Sequence, residues 1–348
     1  MDDIKELRKK INIIDKKLFN LYQERLNISE KIGDYKKSNN FPVFDKQREE
    51  EIKKLHYENI DNFYLPFFSQ FYENILYSSK ELQYLRQLSP LLKRVIEITK
   101  GASLLLNDNF ETSSKTSKDN LVTSNDIRVQ DYLISELKKI TPTYKFFAEE
   151  NLQEIFDKED FVWVIDPIDG TANYVHGLNL SVISIALVHN NHPVLGITYN
   201  PFTKDIFFAE EGKGAYHNYQ KISVSNKKFE DCIFFTAWSL YDKSLAEKTF
   251  EISKKIYEQV SDIRRLGSCA LELSYLSAGL GDLYFEIKLF PWDFSAGELL
   301  IKEAGGFICS LENEISHQKK QAIIAANSEE NLYKLREIIN LYFTKNLE

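Results

Sequence analysis

FVWVIDPIDGTANYVHG, residues 161–177, is the stretch from which the rest of this chain can be read. The apolar and aromatic run from Phe161 to Ile165 reads as a buried strand that stops at Asp166. Pro167 sets a turn, Asp169 returns a second carboxylate three positions on, and Gly170-Thr171 reads as the start of a helix. Two carboxylates held a few Å apart repel by about 4 kcal/mol at an effective dielectric near ~20. A hard divalent cation with oxygen ligands, Mg2+ before others, removes that cost. Exposed amides and a hydroxyl at a helix start then suit a phosphate oxygen. Asp-Pro and Asp-Gly are also ordinary turn formers, so the spacing alone leaves a plain turn and a metal site both open.

The balance is tipped elsewhere in the chain. Residues 291–297, PWDFSAG, set Asp293 behind Trp292 at the head of a helical pattern (Leu299, Leu300, Ile301, Ala304), and EAGG follows at 303–306. Upstream, Glu149 follows Phe146, Phe147 and Ala148 at another apparent strand end. Glu149, Asp166, Asp169 and Asp293 are thus four acids at element ends, a set that fits two metals.

These segments resemble the inositol monophosphatase family of Mg2+-dependent, lithium-sensitive phosphatases, from about residue 92 to the C-terminus. DPIDGTAN matches the family's first signature and PWDFSAGELLIKEAGG its second, with residues 196–216 and 265–286 matching between them in order and spacing. The resemblance implies a layered αβαβα sandwich and in-line attack of a metal-activated water on a phosphate monoester. One metal lowers the pKa of the nucleophile and the other neutralises the leaving alkoxide. By position, Glu149, Asp166 and the Ile168 carbonyl resemble the ligands of one metal, and Asp166, Asp169 and Asp293 those of a second. Glu149 and Thr171 resemble the groups that orient and activate the water, and Gly170 and Thr171 the phosphate contacts. Glu286 lies where family members touch a substrate hydroxyl, and Gly267, Ser268 and Cys269 fall in the loop lining the same pocket. Lys115 and Asp126 match a family lysine and aspartate. Asn120 stands where an aspartate is common, which weakens a third metal without closing it. Lys288, where a glycine is usual, either faces water, the favoured reading, or favours a second negative group on the substrate. None of the six histidines shows paired metal-ligand spacing.

The first ninety residues pose a separate problem. Ile4, Leu7, Ile11, Ile14, Leu18, Leu21, Ile28 and Ile32 keep a 3-4 alternation with no Pro or Gly before Gly33. That predicts one helix of roughly 45 to 50 Å at 1.5 Å per residue. The seam's missing member is Arg25, whose guanidinium needs an anionic partner, either a buried Glu or Asp or an anionic ligand. A second segment starts at Pro42 and clusters Asp45, Arg48 and Glu49. A third carries Phe68, Phe71, Ile75 and Leu82, with Ser79 and Gln83 four apart on one face. Three helices of this kind cannot enclose a core alone in about ninety residues, so a homodimer through this region is expected.

Residues 1–88 resemble the all-helical class of chorismate mutases: Arg8, Asp15, Arg25, Lys36, Asp45-x-x-Arg48-Glu49 and Ser79-x-x-x-Gln83 match in turn. The resemblance implies an intertwined dimer in which Arg8 enters the neighbouring subunit's site and Arg25 holds a substrate carboxylate in its own. Lys36 and Gln83 bond the ether oxygen, Glu49 near Asp45 takes the ring hydroxyl, and Arg48 and Ser79 complete the wall. Chorismate to prephenate is a pericyclic rearrangement that needs no cofactor, only a held conformer and stabilised charge on the ether oxygen.

The chain therefore reads as multidomain: an all-α domain at 1–88 and an α/β domain at 89–348. Its 348 residues, 43% of them hydrophobic, can fill two cores. The net charge of −8 argues against general nucleic-acid or membrane binding. Three cysteines without close spacing read as reduced thiols of a cytoplasmic protein, and no signal peptide or membrane-spanning run is apparent. The polar residues 107–120 read as a mobile loop that brings Lys115 over the phosphatase pocket. Gly212-x-Gly214 reads as a hairpin turn. Two functions remain open: a bifunctional enzyme acting on chorismate and on a small phosphate monoester, myo-inositol 1-phosphate first, or a phosphatase whose helical region only dimerises or senses a metabolite. In the second, histidinol phosphate, fructose 1,6-bisphosphate and nucleotide phosphates are the other substrates.

Overall fold

A computed structural model describes residues 3–57, 60–107, 110–114, 121–150, 152–238, 242–312 and 314–343. The chain divides into two compact units, Met1–Lys93 and Arg94–Glu348.

In the first unit, α1 (Ile4–Ser38), α2 (Lys46–Tyr57) and α3 (Leu65–Leu85) carry the fold. Asp3 caps the start of α1, and Lys36 and Lys37 in its last turn suit the negative end of the helix dipole. The helix runs past Gly33, where the sequence pattern suggested a stop. Gly33 is there for closeness: a Cβ would come within 2.9 Å of the Gln83 Cα on α3. The expected seam is real but open. Ile11 and Ile14 are each 56% exposed and Leu21 67%. Up to Leu85, the buried apolar side chains among the described residues are Val43, Leu76 and Leu85. Each uncovered Ile or Leu forgoes on the order of 1–2 kcal/mol of burial.

The second unit is built on two sheets. Among its described residues, the larger runs β10 (Gln220–Ile222), β9 (Ala215–His217), β8 (Ile206–Glu210), β7 (His192–Tyr199), β6 (Val182–His189), β5 (Val162–Asp169), β3 (Lys145–Ala148), β4 (Leu152–Gln153). The smaller runs β12 (Asp262–Arg264), β11 (Ile233–Thr236), β13 (Leu283–Leu289), β15 (Gln321–Ala326), β14 (Phe307–Ser310). A short ribbon, β1 (Thr112–Ser114) with β2 (Leu121–Thr123), stands apart from both. Entry to this unit is through α4 (Pro90–Ser103), followed by α5 (Ser124–Ile140), α6 (Thr171–Val175), α7 (Ala246–Tyr257), α8 (Cys269–Ser277), α9 (Pro291–Glu303) and α10 (Glu329–Asn340).

Strand alternation sorts these helices into layers. On β5, Val162 and Val164 pack with Trp292 and Ala296 of α9, while the Trp163 indole donates to Thr141 at the end of α5. On β13, Leu283, Phe285 and Ile287 pack with α7 and α10, and Tyr284 packs with Leu273 and Phe294 of α8 and α9. Two sheets thus sandwich α8 and α9 and are covered outside by helices, the αβαβα order. Both strands are buried along nearly their whole length, which in β5 accounts for the apolar run that ends at Ile165.

One expectation needs correction. The strand does not stop at Asp166: β5 continues through Pro167 to Asp169 with a bulge. Asp166 pairs with Ser184 and Asp169 with Val182, so one residue more is used on β5 than on β6. Residues three apart on a regular strand face opposite ways, and the extra residue returns both carboxylates to one side. Gly212 and Gly214 do sit in the β8–β9 hairpin, where Glu303 accepts from both amides at 2.7 and 2.6 Å.

Candidate active sites

The bulge of β5 opens onto a cavity of about 140 Å³ lined by Glu149, Asp166, Ile168, Asp169, Gly170 and Thr171 from one side. Gly267, Ser268, Cys269, Glu286 and Asp293 line it from the other. The acids of β3 and α9 are delivered at element ends, and Glu286 from the middle of β13. Glu149 follows the last residue of β3, and Asp293 lies in the first turn of α9, where its Oδ2 accepts from the Phe290 amide at 2.8 Å. Gly170 takes φ +84°, which lets the chain leave β5 directly into α6.

Asp166, Asp169 and Asp293 are buried and offer carboxylate oxygens within 4.8 Å of one another. At that separation each pair repels by about 3 kcal/mol at an effective dielectric of ~20. Burial, with Asp169 and Glu149 beside it, pushes the Asp293 carboxyl well above its ordinary range. Asp169 is pushed up to about 6 by burial, against hydrogen bonds from Ser268 and Ala270 that favour its charge. Such a cluster needs protons or a cation. An all-oxygen donor set of this kind, with Glu149 and the Ile168 carbonyl alongside, fits a hard divalent ion. The Thr171 hydroxyl donates to that carbonyl at 3.1 Å and also faces Asp126 at 3.4 Å.

Opposite the carboxylates, Glu286 accepts from the Tyr284 hydroxyl at 2.9 Å, and burial pushes it up to about 7. Burial, reinforced by Glu286, Asp169 and Asp293, raises the Cys269 thiol well above its usual value, so it lines the wall as a neutral group. Lys288 is paired with Asp242 at 2.9 Å, and its side chain remains 35% exposed.

In the helical unit, the Arg25 guanidinium donates to the Ser79 hydroxyl and to the Ile75 carbonyl at 3.3 Å. These partners on α3 are neutral, whereas the sequence suggested an acid or an anionic ligand. Gln83 is buried one turn on, with its Oε1 atom lacking a hydrogen-bond partner. The Lys36 ammonium reaches the Val43 carbonyl at 2.6 Å; burial lowers its pKa, while Asp45 and Glu49 pull the other way. Glu49 is bridged to Lys80 at 3.0 Å, and Asp45 caps α2 by accepting from the Arg48 amide at 3.0 Å. Two members stay outside this group. Arg48 is turned toward Glu51 at 3.4 Å and is largely exposed. Arg8 lies seventeen residues before Arg25 on α1, about 25 Å away along the helix at 1.5 Å per residue.

Residues 84–341, most of the chain, match the inositol monophosphatase family. The chain belongs to that family. Residues 7–84 match chorismate mutase type II, so a mutase domain is fused ahead of the phosphatase domain. A fructose-1,6-bisphosphatase/inositol-1-monophosphatase of Thermotoga maritima is 36% identical over 221 residues, 63% of this chain and 82% of that protein. The Nus factor SuhB of Escherichia coli is 32% identical over 244 residues, 68% of this chain and 91% of that protein. Among solved structures, suhB from Bartonella henselae superposes with a TM-score of 0.67 at 31% identity, covering 72% of this chain and 98% of that one. A Thermotoga maritima IMPase superposes with a TM-score of 0.64 at 31% identity, covering 74% and 99%.

Within the inositol monophosphatase domain, three polar residues of the cavity lining were not singled out from the sequence: Asn173, Arg265 and Glu272. Glu272 had a signal, as the lone charge in CALELSYLS, a helix apolar on nearly every side. Asn173 stands inside the DPIDGTAN signature, and Arg265 is indistinguishable in sequence from its neighbour Arg264. Lys115 and Asn120 lie outside the described residues, as does much of the polar loop expected to carry Lys115. Among the described residues no helix is long and apolar enough to cross a membrane.

Proposed function

We propose that the chain is a bifunctional enzyme that rearranges chorismate to prephenate in its helical domain and hydrolyses a small phosphate monoester, myo-inositol 1-phosphate first, in its phosphatase domain. The observation that carries the phosphatase half is the trio Asp166, Asp169 and Asp293, buried with oxygens within 4.8 Å at the cavity floor. Bound Mg2+, two ions and a third left open by Asn120, would lower the pKa of water and neutralise charge on the leaving oxygen. Glu149, Asp166 and the Ile168 carbonyl are assigned to one ion, and Asp166, Asp169 and Asp293 to the other. Thr171 with Glu149 orients the attacking water, and Gly170 and Thr171 face the phosphate. Glu286, which accepts from Tyr284, is assigned a hydroxyl of the leaving group, beside the wall of Gly267, Ser268 and Cys269.

A second reading of the substrate is favoured by Arg265. Its side chain lies over the Trp238 ring at 5.1 Å and lines a cavity whose other charged walls are acids. A cation fixed there supports a leaving group with its own negative charge, as in fructose 1,6-bisphosphate.

The mutase half rests on the Arg25–Ser79 contact and the unpartnered Gln83 Oε1. Arg25 is assigned a substrate carboxylate, Lys36 and Gln83 the ether oxygen, and Glu49 beside Asp45 the ring hydroxyl, with Arg48 and Ser79 as wall. Arg8, about 25 Å from Arg25 along α1, is assigned to the second subunit of a homodimer formed by the open seam.

Phosphate release measured across these substrates with and without Mg2+, alongside chorismate depletion, tests both halves. Release that needs Mg2+ and is absent in Asp166→Asn supports the phosphatase. Intact phosphatase with no chorismate turnover would leave the helical domain as a dimerisation or sensing module.

A further inference from the structure

Glu272 of α8 does not touch the three clustered carboxylates, yet it controls the turn that holds one of them. Its side chain is almost wholly buried. Oε1 accepts from the amides of Leu266 and Gly267 at 2.5 and 3.3 Å, and Oε2 has no partner. From the other side, the Asn173 amide donates to the Leu266 carbonyl at 2.7 Å and to the Leu180 carbonyl at 2.9 Å. The turn so gripped has Gly267 at φ +81° and leads straight into two donors on Asp169 Oδ2. These are the Ser268 hydroxyl and the Ala270 amide, each at 2.6 Å.

A buried acid in this position is expensive. It stands near Asp169 and Glu286, and burial drives its pKa well above the ordinary range. An apolar residue would fill the same helical site with no such penalty. What the acid provides is an acceptor for two backbone amides that a loop, unlike a helix or strand, cannot satisfy by itself. The amides and Ser268 belong to one three-residue turn, so fixing the amides fixes the hydroxyl.

We propose that Glu272 is a positioning residue of the phosphatase site, acting through Ser268 and Ala270 to hold the Asp169 carboxylate in place for a divalent cation. The proposal rests on the Mg2+ reading given above. Groups that orient a ligand from behind typically change metal affinity by about 10–100-fold when removed.

The test is Mg2+ titration of the full-length chain by calorimetry, with no substrate present. Glu272→Ala is expected to weaken Mg2+ about tenfold or more, whereas Glu272→Gln, which keeps the acceptor, stays within about threefold of the parent. Ser268→Ala weakens binding as well, and the double variant Ser268→Ala with Glu272→Ala is no weaker than the worse single one, because both act on the same carboxylate. Should Glu272→Ala not fold, Asn173→Ala frees the same turn from its other side and is expected to weaken Mg2+ comparably. Parent-like affinity in Glu272→Ala, or in Asn173→Ala where it stands in, overturns the proposal while the metal reading stands. Additive losses in the double variant, or a Glu272→Gln as weak as Glu272→Ala, overturn it too. No Mg2+ binding by the parent chain sinks the metal reading and the proposal together.

Discussion

Arg25 on α1 and Ser79 on α3 are hydrogen-bonded across the helical unit, and the Arg25 guanidinium takes the Ile75 carbonyl at 3.3 Å as well. A guanidinium donor fork held by neutral oxygens such as these keeps its charge available for a carboxylate. Replacing Arg25 by Ala should lower kcat/KM for chorismate by about 10²–10³, the range for removing one donor aimed at developing or bound negative charge. Phosphate release should stay close to that of the parent, since the two activities are assigned to separate units. Chorismate loss followed by absorbance decides the point; unchanged turnover would remove the mutase assignment.

Metal dependence should be visible without any substrate. A ligand that binds only the folded state at about 100 times its Kd adds roughly 2.7 kcal/mol of stability. In a domain of about 250 residues that raises Tm by several degrees. Thermal unfolding of the parent chain should therefore shift upward with Mg2+, and the shift should vanish in Asp166→Asn and in Asp293→Asn. Equal shifts in all three would place the ion elsewhere.

The open seam of α1 makes a third expectation. Ile14 is 56% exposed and Leu18 41% in the single chain, surfaces that a second copy would cover. Ile14→Glu puts a charge in that seam, and burying it unpaired costs several kcal/mol. Light scattering after size exclusion should show a dimer for the parent and a monomer for the variant, with Mg2+-dependent phosphate release retained.

The two signatures were legible because their physics is local. A carboxylate pair around a proline, and an aspartate in the first turn of an apolar helix, each fit within a few residues; the choice of a metal site over a plain turn, and the layered order, came from their combination and the family resemblance. The bulge that aims Asp166 and Asp169 to one side was not legible, since it depends on the register against Ser184 and Val182. Arg265 and Asn173 were missed for the same reason: their significance arises only when a turn nearly a hundred residues later closes over the strand end. In the helical unit the pattern of α1 was readable, but that Gly33 serves a close approach to Gln83 and does not end the helix depends on a residue of another helix.

Acid stability gives a last, independent check on the α/β domain. Asp205 is pushed down to about 2, first by its hydrogen bond with His217, and then against burial by Thr203 and Asn218. The contacts from His217 Nε2 and the Asn218 amide are both 2.8 Å. In the unfolded chain an aspartate titrates near ~3.9. A carboxyl whose folded value lies below its unfolded one stabilises the fold fully above the unfolded value, and that contribution is lost as pH falls toward the folded value. Asp205→Asn should therefore unfold at lower urea than the parent at about pH 5. Between about pH 4 and pH 2 the margin should shrink as the parent loses what the variant never had. Urea midpoints of both proteins across that range test this directly, and a margin that widens on acidification would show that the Asp205 contacts do not favour the charged form.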